Sequence, residues 1–248
     1  MNLLEQYDHE QLPARRRDGI KRTEVVLLFN VTPYAPEPWA RRGFTVHCYD
    51  FLIKEERREV VGNGVVVYHP WDSDKPGALD ALIEAHPHPW FVGGFPPCTD
   101  LSSAGNAWRA RKLEANPNYL DDAMARLYFV QRYADAVGAP YFIENPIGKA
   151  STLWRKRDYQ FIPADYGGYL PEDDAHPVWP DKIPPRDAYS KKTLLWTGNG
   201  FVMPKKKPVP IITSQITCSF WFKDVDEEKI YRSSSPRGFC EAIAEANS

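Results

Sequence analysis

The stretch Trp90-Phe91-Val92-Gly93-Gly94-Phe95-Pro96-Pro97-Cys98 decides the fold. Its first five residues read as a short buried strand, and its two prolines cannot continue a sheet ladder. The chain is therefore expected to leave the sheet at Pro96 and to present Cys98 on a turn beyond the strand's carboxyl end. The same pattern recurs on both sides. Upstream, Glu24-Val25-Val26-Leu27-Leu28-Phe29 suits a strand buried on both faces. Residues 44–49 form a second strand with Asp50 at its end, and residues 64–68 a third that ends near Asp72. Downstream, Pro140-Tyr141-Phe142-Ile143 is a fifth strand, with Glu144-Asn145-Pro146 at its carboxyl end. Helical periodicity covers residues 78–85 and 120–137, and Trp39-Ala40-Arg41-Arg42-Gly43 reads as a short helix ended by glycine. This alternation predicts the α/β class, with a doubly wound, Rossmann-like, mostly parallel sheet. Ligands of such sheets bind beyond the carboxyl ends of the strands, so Asp50, Asp72, Cys98 and Glu144 are expected to share one crevice.

The chain of 248 residues suffices for one large α/β domain. Hydrophobic residues make up 43% and charged residues 26%, an ordinary globular composition. Mean hydropathy is -0.51, and no apolar run reaches the roughly 18 residues of a membrane span. The first residues are polar, with no secretory apolar region, which predicts a cytoplasmic protein. The 23 prolines predict long, stiff loops. A net charge of -2 does not advertise a nucleic-acid partner, yet the charges are clustered. Basic groups occur at Arg15-Arg16-Arg17, Lys21-Arg22, residues 109–112, Arg155-Lys156-Arg157 and Lys205-Lys206-Lys207, and acidic ones at Glu172-Asp173-Asp174 and residues 224–228. Each basic cluster taken alone fits a solvated loop.

The segments expected are a basic leader (1–23), a Rossmann-like core (24–149), a small irregular insert over the crevice (150–209), and a C-terminal strand and helix (210–248) that complete the core. In the last, Ser235 is the expected N-cap, with Pro236 at the first helical position. Among Cys48, Cys98, Cys218 and Cys240 no pair has metal-ligand spacing and none is near a histidine pair, so no metal is expected. All four are expected as free thiols. Cys98 alone has the setting of a presented thiol.

A thiol at one strand end and a carboxylate at a neighbouring one fit pyrimidine alkylation. Thiolate addition at carbon 6 of cytosine makes carbon 5 nucleophilic, and an acid near ring nitrogen 3 stabilises the adduct. The residues Gly93-Gly94-Phe95-Pro96-Pro97-Cys98-Thr99-Asp100-Leu101-Ser102, with Gly105, resemble the Pro-Cys motif of DNA cytosine-5 methyltransferases. Glu144-Asn145-Pro146 is similar to their Glu-Asn-Val motif, 46 positions after Cys98. Lys191-Lys192-Thr193-Leu194-Leu195-Trp196 looks like a late family strand, and residues 233–247 resemble the last helix of small, phage-type members.

This resemblance implies a class I methyltransferase-like fold with a small target-recognition insert, acting on DNA with S-adenosylmethionine or a modified form of it. It implies Cys98 as nucleophile and Glu144 as the group at nitrogen 3, with Asn145, Pro146, Ser102, Arg109 and Arg111 on the DNA side. Phe29, Asp50, Asp72 and Pro96 are the implied cofactor contacts, and residues 99–111 the loop that closes over the substrate. In the insert, Arg155-Lys156-Arg157 and the aromatics suit phosphate contact and base stacking. The sequence departs from the family at Phe29-Asn30-Val31-Thr32-Pro33, where the glycine-rich first motif has no glycine, and at Thr99, where many members carry Gln. A one-carbon transferase acting on free pyrimidine nucleotides and a catalytically silent DNA-binding relative stand as alternatives. Cys98 as a core residue, and Glu144, Asp50 and Asp72 as ordinary strand-end carboxylates, are the corresponding local ones.

Overall fold

Val25, Val26, Leu27 and Leu28 are buried without alternation, as a strand with helices on both faces requires. They belong to β1 (Glu24–Leu28) of a computed structural model that describes residues 22–102, 109–214, 222 and 224–248. The other strands are β2 (Thr45–Asp50), β3 (Arg57–Val61), β4 (Gly64–Pro70), β5 (Phe91–Gly94), β6 (Tyr141–Pro146), β7 (Tyr159–Phe161) and β8 (Thr193–Gly198). They form one sheet in the order β3-β4-β2-β1-β5-β6-β8-β7. Pairs β4·β2, β2·β1, β1·β5 and β5·β6 are parallel, and the edges around β3, β8 and β7 are antiparallel. The chain winds outward from β1 to β4 and then restarts on the other side at β5. The expected α/β, mostly parallel, Rossmann-like sheet is therefore present, and its order reverses between β1 and β5.

The helices are α1 (Glu37–Arg41), α2 (Ala78–Ala85), α3 (Arg109–Ala115), α4 (Tyr119–Ala136), α5 (Ala150–Leu153), α6 (Val225–Ser233) and α7 (Arg237–Asn247). Side chains alternate along a strand, so the sheet has two cores. Val25, Leu27, Phe91, Phe142 and Leu195 pack with Trp39 of α1 and Phe239 and Ile243 of α7. Val26, Leu28, Val92, Ile143 and Trp196 pack with Leu82 of α2 and Leu127, Val130 and Tyr133 of α4. No helix among the described residues is long and apolar enough to cross a membrane.

Residues 150–209, expected as an irregular insert over the crevice, also supply two strands of the sheet: β8 pairs with β6 along six residues and carries β7. The buried run Thr193-Leu194-Leu195-Trp196 demands a place inside the sheet. Of the segment expected to hold a strand in 210–248, residues 215–221 and 223 lie outside the described residues; before them Thr213 makes one bridge to Tyr189, and Ile211 and Ile212 lie exposed after Pro208 and Pro210. The expected N-cap needs correction: the last helix begins at Arg237 with Pro236 as its N-cap, and no side chain bonds the helix end. Cys48, Cys98 and Cys240 are free thiols; Cys218, Gly105 and the basic residues 15–21 lie outside the described residues.

Candidate active site

The turn that carries Cys98 is built by steric exclusion. A Cβ at Gly94 would come 2.6 Å from the Val130 side chain, so β5 runs hard under α4. Phe95 still donates its amide to Leu28 O (3.0 Å), and then Pro96 and Pro97, lacking donors, end the ladder. The Cys98 carbonyl accepts the amides of Leu101 (3.1 Å) and Ser102 (2.8 Å), which closes the turn.

Strand β6 runs past the end of β5 and is stapled to this turn. Asn145, buried, donates Nδ2 to Pro96 O (2.9 Å). Lys149 donates its amide to Leu101 O (2.7 Å), and Ser102 bridges to Gly148. A side chain at Gly148 would collide with the Leu101 carbonyl, so only glycine permits this approach. Replacing Asn145 with Ala leaves the Pro96 carbonyl without its donor. The expected result is a loss of about 1–3 kcal/mol in chemical denaturation, together with slower chemistry at Cys98. Unchanged stability and rate would show the staple to be idle.

The Glu144 charge reaches Cys98 across this junction. Burial pushes the half-buried Cys98 thiol above its ordinary pKa; Lys191 and Arg232 pull it down and Glu144 pushes it up. Desolvation likewise raises the Glu144 carboxyl, against the pull of Lys191. No described residue donates a hydrogen bond to the Glu144 carboxylate. At rest the site therefore favours a thiol beside a carboxyl that holds its proton longer than usual. Lys191 is fixed by donating to Arg232 O (3.3 Å).

Cys98 opens onto a cavity of about 470 Å³, at the point where the sheet order reverses. Phe29, Asn30, Val31 and Thr32 line it from the end of β1, Asp50 from the end of β2, and Phe95, Pro97 and Thr99 from the end of β5. Glu228, Lys229, Arg232 and Ser233 of α6 close the far wall. Phe29 sits at φ 59, the left-handed conformation that glycine adopts freely, and its amide bonds Tyr49 O (2.7 Å). The tight turn thus exists without glycine, held by the Phe29 ring against Trp71 at 5.3 Å. Asn30 is buried and donates Nδ2 to Thr32 O (2.9 Å), fixing the next step of the turn. Thr32 Oγ1 is buried with no hydrogen-bond partner among the described residues.

Asp50 accepts the Leu52 amide on Oδ1 (2.7 Å), and no described donor reaches Oδ2. Burial raises its pKa to about 6, against the Leu52 amide and Lys54. A carboxyl whose folded pKa lies above its unfolded value favours the protonated native state, so its cost appears as pH rises through about 4 to 6. Asp50→Asn is therefore expected to stabilise the fold by on the order of 2–3 kcal/mol at pH 7.5 and by little at pH 4. Thermal melts at both pH values check this; equal shifts would remove desolvation as the cause.

The remaining sequence-predicted residues are distributed as follows. Asp72 does not line this cavity. It is exposed, accepts the Asp74 amide (3.0 Å), and borders a separate groove with Tyr49 and Lys75, because Trp71 takes the position facing Phe29. Pro96 and Pro146 are not among the lining residues: the Pro96 carbonyl accepts the Asn145 bond, and Pro146 follows Asn145 at the end of β6. Ser102 is buried in its bridge. Arg109 and Arg111 are exposed on α3, which Lys112 clamps to the Cys98 turn through Asp100 (2.8 Å) and Thr99 O (2.8 Å). Residues 103–108 of the expected closing loop lie outside the described residues, and 109–111 are helical. In the insert, Arg155 is committed to Asp158 and Thr197 O. Sequence reasoning missed the α6 wall, whose acidic start reads as a solvated run, and missed Thr32 and Lys191 as parts of the site.

The chain matches no protein-family model, and a search of curated proteins returned no match.

Proposed function

We propose that this chain is a DNA cytosine-5 methyltransferase-like enzyme in which Cys98 is the nucleophile and Glu144 the acid. The observation that carries the reading is the stapled pair of strand ends, which sets the Cys98 thiol in the wall of a cavity and within electrostatic reach of the Glu144 carboxyl. S-adenosylmethionine or a modified form of it fits the cavity chemically: Asp50 Oδ2 and Thr32 Oγ1 are polar groups without partners, Phe29 offers a ring face, and the volume lies in the usual ligand range of about 300–1,000 Å³. Bound there, such a cofactor supplies an electrophilic one-carbon unit.

The protein's own residues do the rest. The Cys98 thiolate adds to carbon 6 of an extruded cytosine and forms the C6–S bond. Glu144 gives its proton to ring nitrogen 3, so negative charge does not build up on the ring. Carbon 5 becomes an enamine carbon and would form the new C–C bond as the donor's carbon–sulfur bond breaks, its electron pair staying on the sulfur. Loss of the carbon 5 proton to solvent water then breaks the C6–S bond and expels the Cys98 thiolate, and nitrogen 3 returns its proton to Glu144. Lys191 and Arg232 favour the thiolate as it forms. Arg109 and Arg111, held beside the turn by Lys112, are suited to flanking phosphates.

Duplex DNA containing 5-fluorocytosine tests the reading, because fluorine at carbon 5 cannot leave as a cation and the enzyme stays attached. The expected result is a denaturant-stable adduct that requires cofactor and Cys98. An adduct with the free nucleotide alone would assign the nucleotide-modifying alternative. DNA binding without any adduct, unchanged in Cys98→Ala, would assign the silent DNA-binding one.

A further inference from the structure

Away from this cavity, three histidines and two glutamates converge on the α2–α4 face of the sheet. Glu24 opens β1, His47 lies within β2, His69 near the end of β4, and His86 just beyond α2. We propose that Glu24, His47 and His86 form a divalent-metal site, with zinc the ion its donor set suits best.

The first argument is proton accounting. His69 Nδ1 faces the Glu56 carboxylate at 3.2 Å. A carboxylate accepts only, so Nδ1 carries the proton and His69 Nε2 is a bare acceptor. His47 Nδ1 lies 3.0 Å from that Nε2 and must donate to it. The proton of the neutral His47 ring is thereby used, and its Nε2 is left as a lone pair. That atom is buried and has no hydrogen-bond partner among the described residues. It faces another acceptor, Glu24 Oε1, at 3.9 Å. Two acceptors aimed at each other across a gap call for a cation between them.

The second argument is geometry. Glu24 Oε2 lies 3.0 Å from His86 Nδ1, and the candidate donor atoms of all three residues fall within 4.8 Å of one another. Donors about 2.0–2.1 Å from a tetrahedral zinc stand about 3.3 Å apart, between the two separations seen. Small side-chain rotations close the site.

The third argument is the surrounding support. A ligating histidine usually spends its other ring nitrogen on a partner that fixes its orientation. His47 does so on His69, which leans on Glu56, and His86 does so through Nε2 on the Tyr49 hydroxyl (2.7 Å). One carboxylate with two imidazoles suits zinc better than magnesium or calcium, which take oxygen donors. The Glu24 side is half open to solvent, which leaves the fourth position for water. The ion would fasten the start of β1 to β2 and to the end of α2.

The test uses the full-length, tag-free chain, stripped with chelator and titrated with Zn²⁺, then with Co²⁺ as a spectroscopic probe. Expected are one equivalent bound, a four-coordinate cobalt spectrum, and a rise in Tm with Zn²⁺ but not Mg²⁺. Glu24→Gln and His47→Gln should each weaken binding at least about tenfold, while His88→Gln, at an exposed histidine outside the cluster, and Cys98→Ser should bind as the parent does. If His47→Gln fails to fold, Glu24→Gln carries the test, because that side chain is half exposed. No saturable binding, or binding indifferent to Glu24→Gln, would overturn the proposal and leave a hydrogen-bonded histidine cluster only.

Discussion

Cys98→Ser is expected to abolish base modification, by on the order of a thousandfold or more, while leaving the melting temperature nearly unchanged. The first half follows from the nucleophile: a serine hydroxyl is a far weaker one than a thiolate, and the described residues that line the cavity with Cys98 include no histidine to activate it. The second half follows from how the turn is made. Its hydrogen bonds run from the amides of Leu101 and Ser102 to the carbonyl of residue 98, and from Asn145 to Pro96. None uses the sulfur. The thiol borders the cavity, so a slightly smaller, more polar atom costs less than about 1 kcal/mol. Nucleoside mass spectrometry on treated DNA and a thermal melt check the two halves separately. Retained modification would remove Cys98 as nucleophile, and a collapsed melt would make it a core residue.

The contrast between Cys98 and its surroundings shows what a sequence exposes and what it hides. The strands of the parallel core were legible because Val25 to Leu28 or Phe91 and Val92 cannot be satisfied anywhere but between two layers. Cys98 and Glu144 were legible because one follows β5 and the other lies in its neighbour β6, and strand adjacency alone puts them within electrostatic reach. Strand β3 was hidden because Arg57, Arg58 and Glu59 suit a charged, exposed edge and carry no hydrophobic signal. The α6 wall was hidden for the same reason. The missing glycines were legible as an absence, but not their remedy: that Phe29 itself takes the left-handed conformation depends on Trp71, which approaches only through the sheet. Asp72 was placed in the crevice by chain counting; one further residue of turn after Pro70 sends it outward. Glu24, His47 and His86 belong to no local motif, and attention to cysteine spacing could not find them. Register and layer packing bring them together, and neither is written in spacing.

Glu144→Gln is expected to slow adduct formation strongly, on the order of a hundredfold to ten-thousandfold, with cofactor affinity nearly unchanged. The amide matches the carboxyl in shape and can still hydrogen-bond, but it cannot deliver a proton to nitrogen 3. The cofactor should not notice, since Glu144 is not among the residues that line the cavity. The variant also carries an internal control. Glu144 is one of the influences that raise the Cys98 pKa, so removing its charge lowers that pKa and increases the thiolate present at a given pH. Alkylation of Cys98 by a small neutral reagent should therefore become faster at pH 7.5, while addition to fluorocytosine becomes slower. The opposite signs separate acid catalysis from simple tuning of the thiol. If both rates fall together, Glu144 acts by shaping the site. If both rise, it acts only as a nearby charge, and the proton donor for the ring lies elsewhere.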